Sequence, residues 1–367
     1  PGFQVTYRQL DSQTYESELL NALAAGRGPD VFMIHSSWLP KHIEKLTPAS
    51  SEQISLTVLQ SMYPTVVEQD FAPDGLVYGL PLYLDTLALL YNQDIFDTAS
   101  IAVTPRTWSE FQNLIPKLRK LDATGRITRA AAAIGGSSKN ISRATDILSV
   151  LMLQSGIQMV ADDFSRATFG SGGTEPLLFY TKFANPANEL YTWSDALPNS
   201  IDGFARSEVA AIFSYAYQIP NIKEKNPFLK FRIASLPQPS GAERDVNYAS
   251  YWGLAVSNRF SDPLSAWNFI LSFAANQNVA AAYAAKTNRL PALRLLISEK
   301  LNDQNFGVFA KQALSARSWP QVDNTALDAI FSKMIEDVTS GRSTAGKALG
   351  EAESAVTILM ERRQRQF

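Results

Sequence analysis

In "YGLPLYLDTLALLYN", residues 78–92, the carboxylate of Asp85 interrupts an apolar run with no basic residue beside it. Taking a carboxylate out of water is costly unless hydrogen-bond donors meet it. Its two oxygens can accept bidentately, which suits paired hydroxyls of a polyhydroxylated ligand. The same demand is met by capping a strand end or by pairing with a distant Arg or Lys.

Aromatic residues supply the complementary chemistry. Trp193 in "YTWSD", Tyr215 and Tyr217 in "FSYAYQ", Tyr251 and Trp252 in "NYASYWG", and Trp319 in "ARSWPQ" fall in loops or at strand ends. Flat rings offer apolar faces to sugar C–H groups and polar edges for hydrogen bonds, although packing in a core is the alternative for each, and about half are expected to be structural. "HSSW", residues 35–38, follows a short strand at its C-terminal end, the side of an α/β sheet where ligands bind, so Ser36, Ser37 and Trp38 are candidates. The serines could equally cap the next helix, with Trp38 packed on it. His42 reads as a surface residue of that helix. "GGSSKNISRATD" offers Asn140, Arg143 and Asp146, the last two at a spacing that lets them pair on a helix.

Other chemistries are poorly supplied. Without Cys there are no disulfides, thiol nucleophiles or zinc–thiolate sites. Only His35 and His42 are available for a metal or a catalytic triad, and neither lies in a nucleophile motif. "GRSTAGKA", residues 341–348, fits phosphate-loop spacing, but Ala348 stands where a magnesium-binding hydroxyl belongs and a helical pattern precedes it; a helix–loop–helix junction capped by Thr344 is expected. No cofactor and no metal are expected. A net charge of −2 gives no basic field for nucleic acid. No apolar run approaches the ~18 residues that span a bilayer.

A chain of 367 residues favours two lobes. Alternation of Phe3, Val5 and Tyr7 with polar residues predicts an opening strand with one buried face. A helix starting at Asp11 or Ser12, carrying Tyr15, Leu19 and Leu23 and ending at Gly26, then leads to a buried strand in "GPDVFMI", a βαβ beginning. Further helices are expected over Leu39–Leu46, Ile54–Glu68, Leu177–Phe183, "RATDILSVLMLQSG" and nearly everything after Asp262. Thr107 and Glu110 have capping-box spacing at the head of a helix that Pro116 should kink. "EVAAIFSYAYQIP" reads as a buried strand running into an aromatic turn. The fold class is α/β.

Three stretches together, "LAAGRGPDVFMI", "YGLPLYLDTLALLYNQDIFD" and "TPRTWSEF", with "SGRSTAGKALGEAESAV" near the C-terminus, make the chain similar to the extracellular solute-binding proteins, family 1. That family delivers substrates to ABC importers and includes maltose-binding protein. The resemblance implies a two-lobed periplasmic-binding-protein clamshell of type II, with ligand in the cleft between the lobes and three interlobe crossings. Lobe 1 would comprise 1–84 plus 244–294, and lobe 2 would comprise 85–243 plus 295–367. It puts Asp85 at a crossing with its carboxylate facing the cleft, Asn140 and Arg143 at the cleft edge, and Tyr215, Tyr217, Tyr251, Trp252 and Trp319 around it. The family's opening strand and helix, and the lipidated Cys of many members, would precede the segment with which this sequence opens.

The implied protein captures a carbohydrate or similar polar solute by lobe closure, is not an enzyme, and partners ABC importer permease subunits as an extracytoplasmic monomer, periplasmic or a cell-surface lipoprotein. Two other readings stay open. A carbohydrate-active enzyme would need a second carboxylate roughly 5–10 Å from Asp85, with Asp146 and Asp195 as candidates. A ligand-sensing module for a membrane receptor would use the same clamshell.

Overall fold

The computed structural model describes residues 3–11 and 14–364, with side chains to 361; Ser12, one expected helix start, lies outside the described residues. The chain divides into two units, Pro1–Leu84 with Ser250–Glu299 and Asp85–Ala249 with Lys300–Phe367, so it passes from one to the other three times. The passages fall at 84/85, 249/250 and 299/300.

In the first unit the strand Trp252–Ser257 is central. It pairs antiparallel with Val31–His35 on one side, and with Leu46–Thr47 and Leu80–Pro81 as well. The register sets His35 opposite Trp252. On the far edge of Val31–His35 the Tyr15 hydroxyl accepts the Met33 N–H (3.1 Å) and donates to the Met33 carbonyl (2.7 Å), standing in for a strand partner. Helix Tyr15–Ala24 buries Leu19 and Leu23.

Three expectations fail here. Residues 3–8 form no strand, and Phe3, Val5 and Tyr7 are exposed. Alternation marks an amphipathic strand only where a sheet edge supplies ladder bonds, and this segment pairs with none among the described residues. The expected helix over Leu39–Leu46 is one α turn, Leu39–His42, then a 3-10 turn, because Leu46 is drawn into pairing with Ser257. The expected Ile54–Glu68 helix is two, Leu56–Met62 and Thr65–Phe71, broken at Pro64, which cannot supply a helical N–H and instead starts the second.

The second unit is built on Ala88–Asn92, flanked antiparallel by Ala211–Ser214 and Phe231–Ala234. Helix Trp108–Leu118 carries the full capping box: Thr107 Oγ1 accepts the Glu110 N–H, and Glu110 accepts the Thr107 N–H. Pro116 lies in its last turn. Helix Ala144–Gln154 is buried over nearly its whole length, and helices Asn324–Thr339 and Ala345–Gln364 pack together. Their junction is the phosphate-loop look-alike. There Gly341 takes φ +72° and Thr344 Oγ1 accepts the Lys347 N–H, as a helix end and a helix start require.

Candidate functional site

The first unit carries a half-exposed aromatic cluster where the strand Val31–His35 ends. Trp38 and Trp252 meet with centroids 4.8 Å apart and rings at 71°. Tyr15 stands edge-on to Trp252 at 5.5 Å and stacks on Trp38 at 6.4 Å. Sequence neighbours do not create this cluster; the pairing of 31–35 with 252–257 does. Burial pushes the Tyr15 phenol up to about 12, so it remains a neutral donor and acceptor.

His35 lies under the pair. Ser37 N–H reaches its Nδ1 (3.3 Å), which therefore accepts, and Ser37 Oγ donates to the same nitrogen at 2.7 Å. The proton then sits on Nε2, 3.0 Å from Ser250 Oγ. Ser37 is thus buried and engaged with His35 rather than presented to solvent.

Beside this cluster Glu16 accepts from Lys41 (2.6 Å) and His42 (3.0 Å). His42 is 2% exposed, not on the surface as expected, because Trp38 packs on its ring. Burial holds its pKa below the ordinary imidazole value. Burial alone would raise Glu16, but the hydrogen bonds from His42 and Lys41 outweigh it and hold the carboxyl at about 2.

In the second unit Asp85 is 4% exposed. Its Oδ1 accepts the N–H groups of Thr86 (2.9 Å) and Ala216 (3.0 Å), and its Oδ2 accepts that of Tyr217 (3.0 Å). The costly carboxylate is therefore met by backbone, at the turn that carries the two tyrosines. Tyr217 is exposed and stacks on buried Tyr215 at 5.8 Å and 19°. Tyr215 donates its hydroxyl to Asp146 Oδ2 at 2.8 Å.

Arg143, in the left-handed region at φ 67°, holds its guanidinium over both rings, 5.2 Å from the centroid of Tyr215 and 5.9 Å from that of Tyr217. Its Nε lies 3.5 Å from Asp146. Burial works against its charge, yet Asp146 and the tyrosines keep its pKa raised. The result is an exposed ring edge, a guanidinium already balanced by a carboxylate, and a backbone turn fixed by Asp85. Such a surface offers hydrogen-bond donors and a ring face without a net charge.

The remaining sequence candidates lie in the cores. Trp193 is fully buried, its Nε1 donates to Asn140 Oδ1 (3.0 Å), and a Cβ on Gly136 would sit 2.7 Å from its ring. The Asn140 amide donates to the Ser194 and Leu197 carbonyls, so both ends of that side chain are used to hold the loop. Trp319 packs on Phe331 and donates to Ser149 Oγ. Tyr251 is buried, with its hydroxyl 2.6 Å from Asp70. Strand-end position alone does not separate such rings from Trp38, Trp252 and Tyr217. Of the two guessed second carboxylates, Asp146 is bound as described and Asp195 makes an exposed ion pair with Lys139.

His35 and Tyr15 are missing from the sequence candidates. Tyr15 reads as one more apolar helix position, and His35 meets Ser250 and Trp252 only through sheet register, which no local pattern encodes.

A family profile described as "Bacterial extracellular solute-binding protein" matches residues 2–297. The chain belongs to that family. It is 25% identical over 386 residues to the maltodextrin-binding protein MdxE of Bacillus subtilis, an alignment covering 97% of this chain and 83% of that protein. Among solved structures it resembles the sugar-binding protein MalE from Xanthomonas citri, with a TM-score of 0.80 at 21% identity over 99% of this chain and 92% of the other. It also resembles an ABC transporter solute-binding protein from Thermotoga lettingae bound with α-D-tagatose, with a TM-score of 0.72 at 22% identity over 95% and 89% of the chains. The fold is the mixed α/β, type II periplasmic-binding-protein fold, with its chain passing three times between units.

Proposed function

We propose that this protein captures a neutral carbohydrate, with Trp38 and Trp252 of the first unit and, separately, Tyr217 and Arg143 of the second as its sugar-contact candidates, and delivers it to an ABC importer. The observation that carries this reading is the half-exposed pair Trp38 and Trp252. Core tryptophans are covered, as Trp193 and Trp319 are, and rings held at 71° with solvent access suit the apolar C–H faces of a pyranose. Relatives named for maltodextrin and for sugar support the ligand class. Asp85 serves this function by fixing the Tyr217 turn rather than by touching sugar. Ser37, Asn140, Trp193, Tyr251 and Trp319 act as supports.

Binding without turnover is the favoured reading. A glycosidase needs one carboxylate to give a proton and another to attack or to activate water. Here Asp85 is committed to amides and Asp146 to Tyr215 and Arg143. Uptake by closure of the two units, a permease as partner, a monomeric state and an extracytoplasmic location complete the proposal. Among the described residues no helix is long and apolar enough to cross a membrane.

Calorimetric titration with maltose to maltotetraose, galactosides and mannosides tests it. Saturable binding of at least one, with no reducing sugar released, is expected. Absence of heat across the panel, or release of product, contradicts it.

A further inference from the structure

His35 hydrogen-bonds to both chain segments that carry the aromatic pair. Through Nδ1 it holds Ser37, the residue before Trp38. Through Nε2 it holds Ser250, two residues before Trp252 and the first residue of the first unit after the chain's second passage. Its ring also packs edge-on against Trp252 at 5.3 Å and lies 6.2 Å from Trp38. One imidazole therefore touches both rings and hydrogen-bonds beside both of their backbones.

We propose that His35 is a positioning residue, whose neutral, Nε2-protonated imidazole fixes the mutual orientation of Trp38 and Trp252 and so presets the platform for its sugar. The physical reason is preorganisation. A half-exposed Trp that must be ordered on binding loses side-chain entropy at that moment, whereas one already locked loses little. Two directional hydrogen bonds from a ring wedged against both indoles supply the lock. Nδ1 as acceptor is essential, because it faces the Ser37 N–H, and Nε2 must then carry the proton toward Ser250.

The inference rests on the platform proposed above, and two readouts separate them. Near-UV circular dichroism without ligand reports the coupled indoles whether or not sugar binds there. His35→Phe, which keeps a flat ring but neither nitrogen, is expected to lose the ellipticity that Trp252→Ala loses. It should also weaken by about fivefold the binding of whichever maltooligosaccharide the wild type takes. His35→Asn, which keeps an acceptor toward Ser37, should recover part of both losses, and Ser250→Ala should reproduce part of them with the imidazole intact.

Should His35→Phe not fold, the Asn and Ser250 variants carry the same test. An unchanged dichroism spectrum with unchanged affinity in His35→Phe overturns the proposal, as does unchanged behaviour of both substitute variants. If Trp38→Ala and Trp252→Ala bind sugar like the wild type, the platform reading fails, and the dichroism alone still decides whether His35 orients the rings.

Discussion

The carboxylate of Asp85 accepts the backbone N–H of Tyr217 at 3.0 Å. A residue at the first passage of the chain thereby sets the conformation of a turn 132 positions later, and with it the exposed ring of Tyr217. Together with the Ala216 amide, this bond answers the question of what a carboxylate does in an apolar stretch. It is a strand-end and turn anchor whose donors are backbone groups.

Asp85→Ala should therefore destabilise the second unit, because it takes the acceptor from the part-buried amides of Ala216 and Tyr217, at up to about 1–3 kcal/mol each. Asp85→Asn, which turns one acceptor oxygen into a donor, should cost less but still lower the urea midpoint. A direct sugar ligand would behave otherwise, giving lost affinity with an unchanged midpoint. Urea melts run beside titrations distinguish the two.

Tyr217 and Trp193 should separate binding from stability. Tyr217→Ala removes an exposed ring and should leave stability within about 0.5 kcal/mol while weakening sugar binding about tenfold. Trp193→Ala empties a fully buried site and should cost about 3–5 kcal/mol, with affinity preserved in whatever remains folded. Reversed outcomes would make Trp193 a sugar contact and Tyr217 a packing residue, contradicting both assignments.

Acid should weaken the first unit through Glu16 and His42. With its folded value held at about 2 against an ordinary 4.5, Glu16 contributes stability that is present above pH 4.5 and drains away as pH falls toward 2. His42 is held below its ordinary 6.5, so the fold favours the neutral ring and loses stability as pH drops below 6.5. Both act in the same direction. Glu16→Gln should lower the pH 7 stability by about 1–2 kcal/mol, discounted for a quarter-exposed side chain, and flatten the loss below pH 4.5. Superimposable pH profiles for wild type and variant would contradict this.

What was legible in the sequence follows from where the signal lies. The capping box at Thr107 and Glu110, the helix over "RATDILSVLMLQSG" and the strand before "SYAYQ" are local patterns with local causes, and they fold as written. The alternation of Phe3, Val5 and Tyr7 is equally local, but a strand needs a partner that the pattern cannot name. Strand-end position groups these rings, yet burial divides them. Trp193, Tyr251 and Trp319 are enclosed by distant segments, while Trp38, Trp252 and Tyr217 keep solvent access. The sequence shows that Asp85 needs donors, but the Ala216 and Tyr217 amides that meet it lie beyond any sequence window. The contact of His35 with Ser37 is local, whereas its contact with Ser250 is a product of register.

The central claim is that the exposed parts of the Trp38–Trp252 pair and of Tyr217 are sugar-contact surfaces, each on its own unit. Its most direct measurement is calorimetric affinity for a single oligosaccharide that binds the wild type, in Trp252→Ala and Tyr217→Ala separately. Each variant is predicted to lose about tenfold or more in affinity for that same sugar, Tyr217→Ala with its melting midpoint unchanged. Wild-type affinity in either variant would contradict the account.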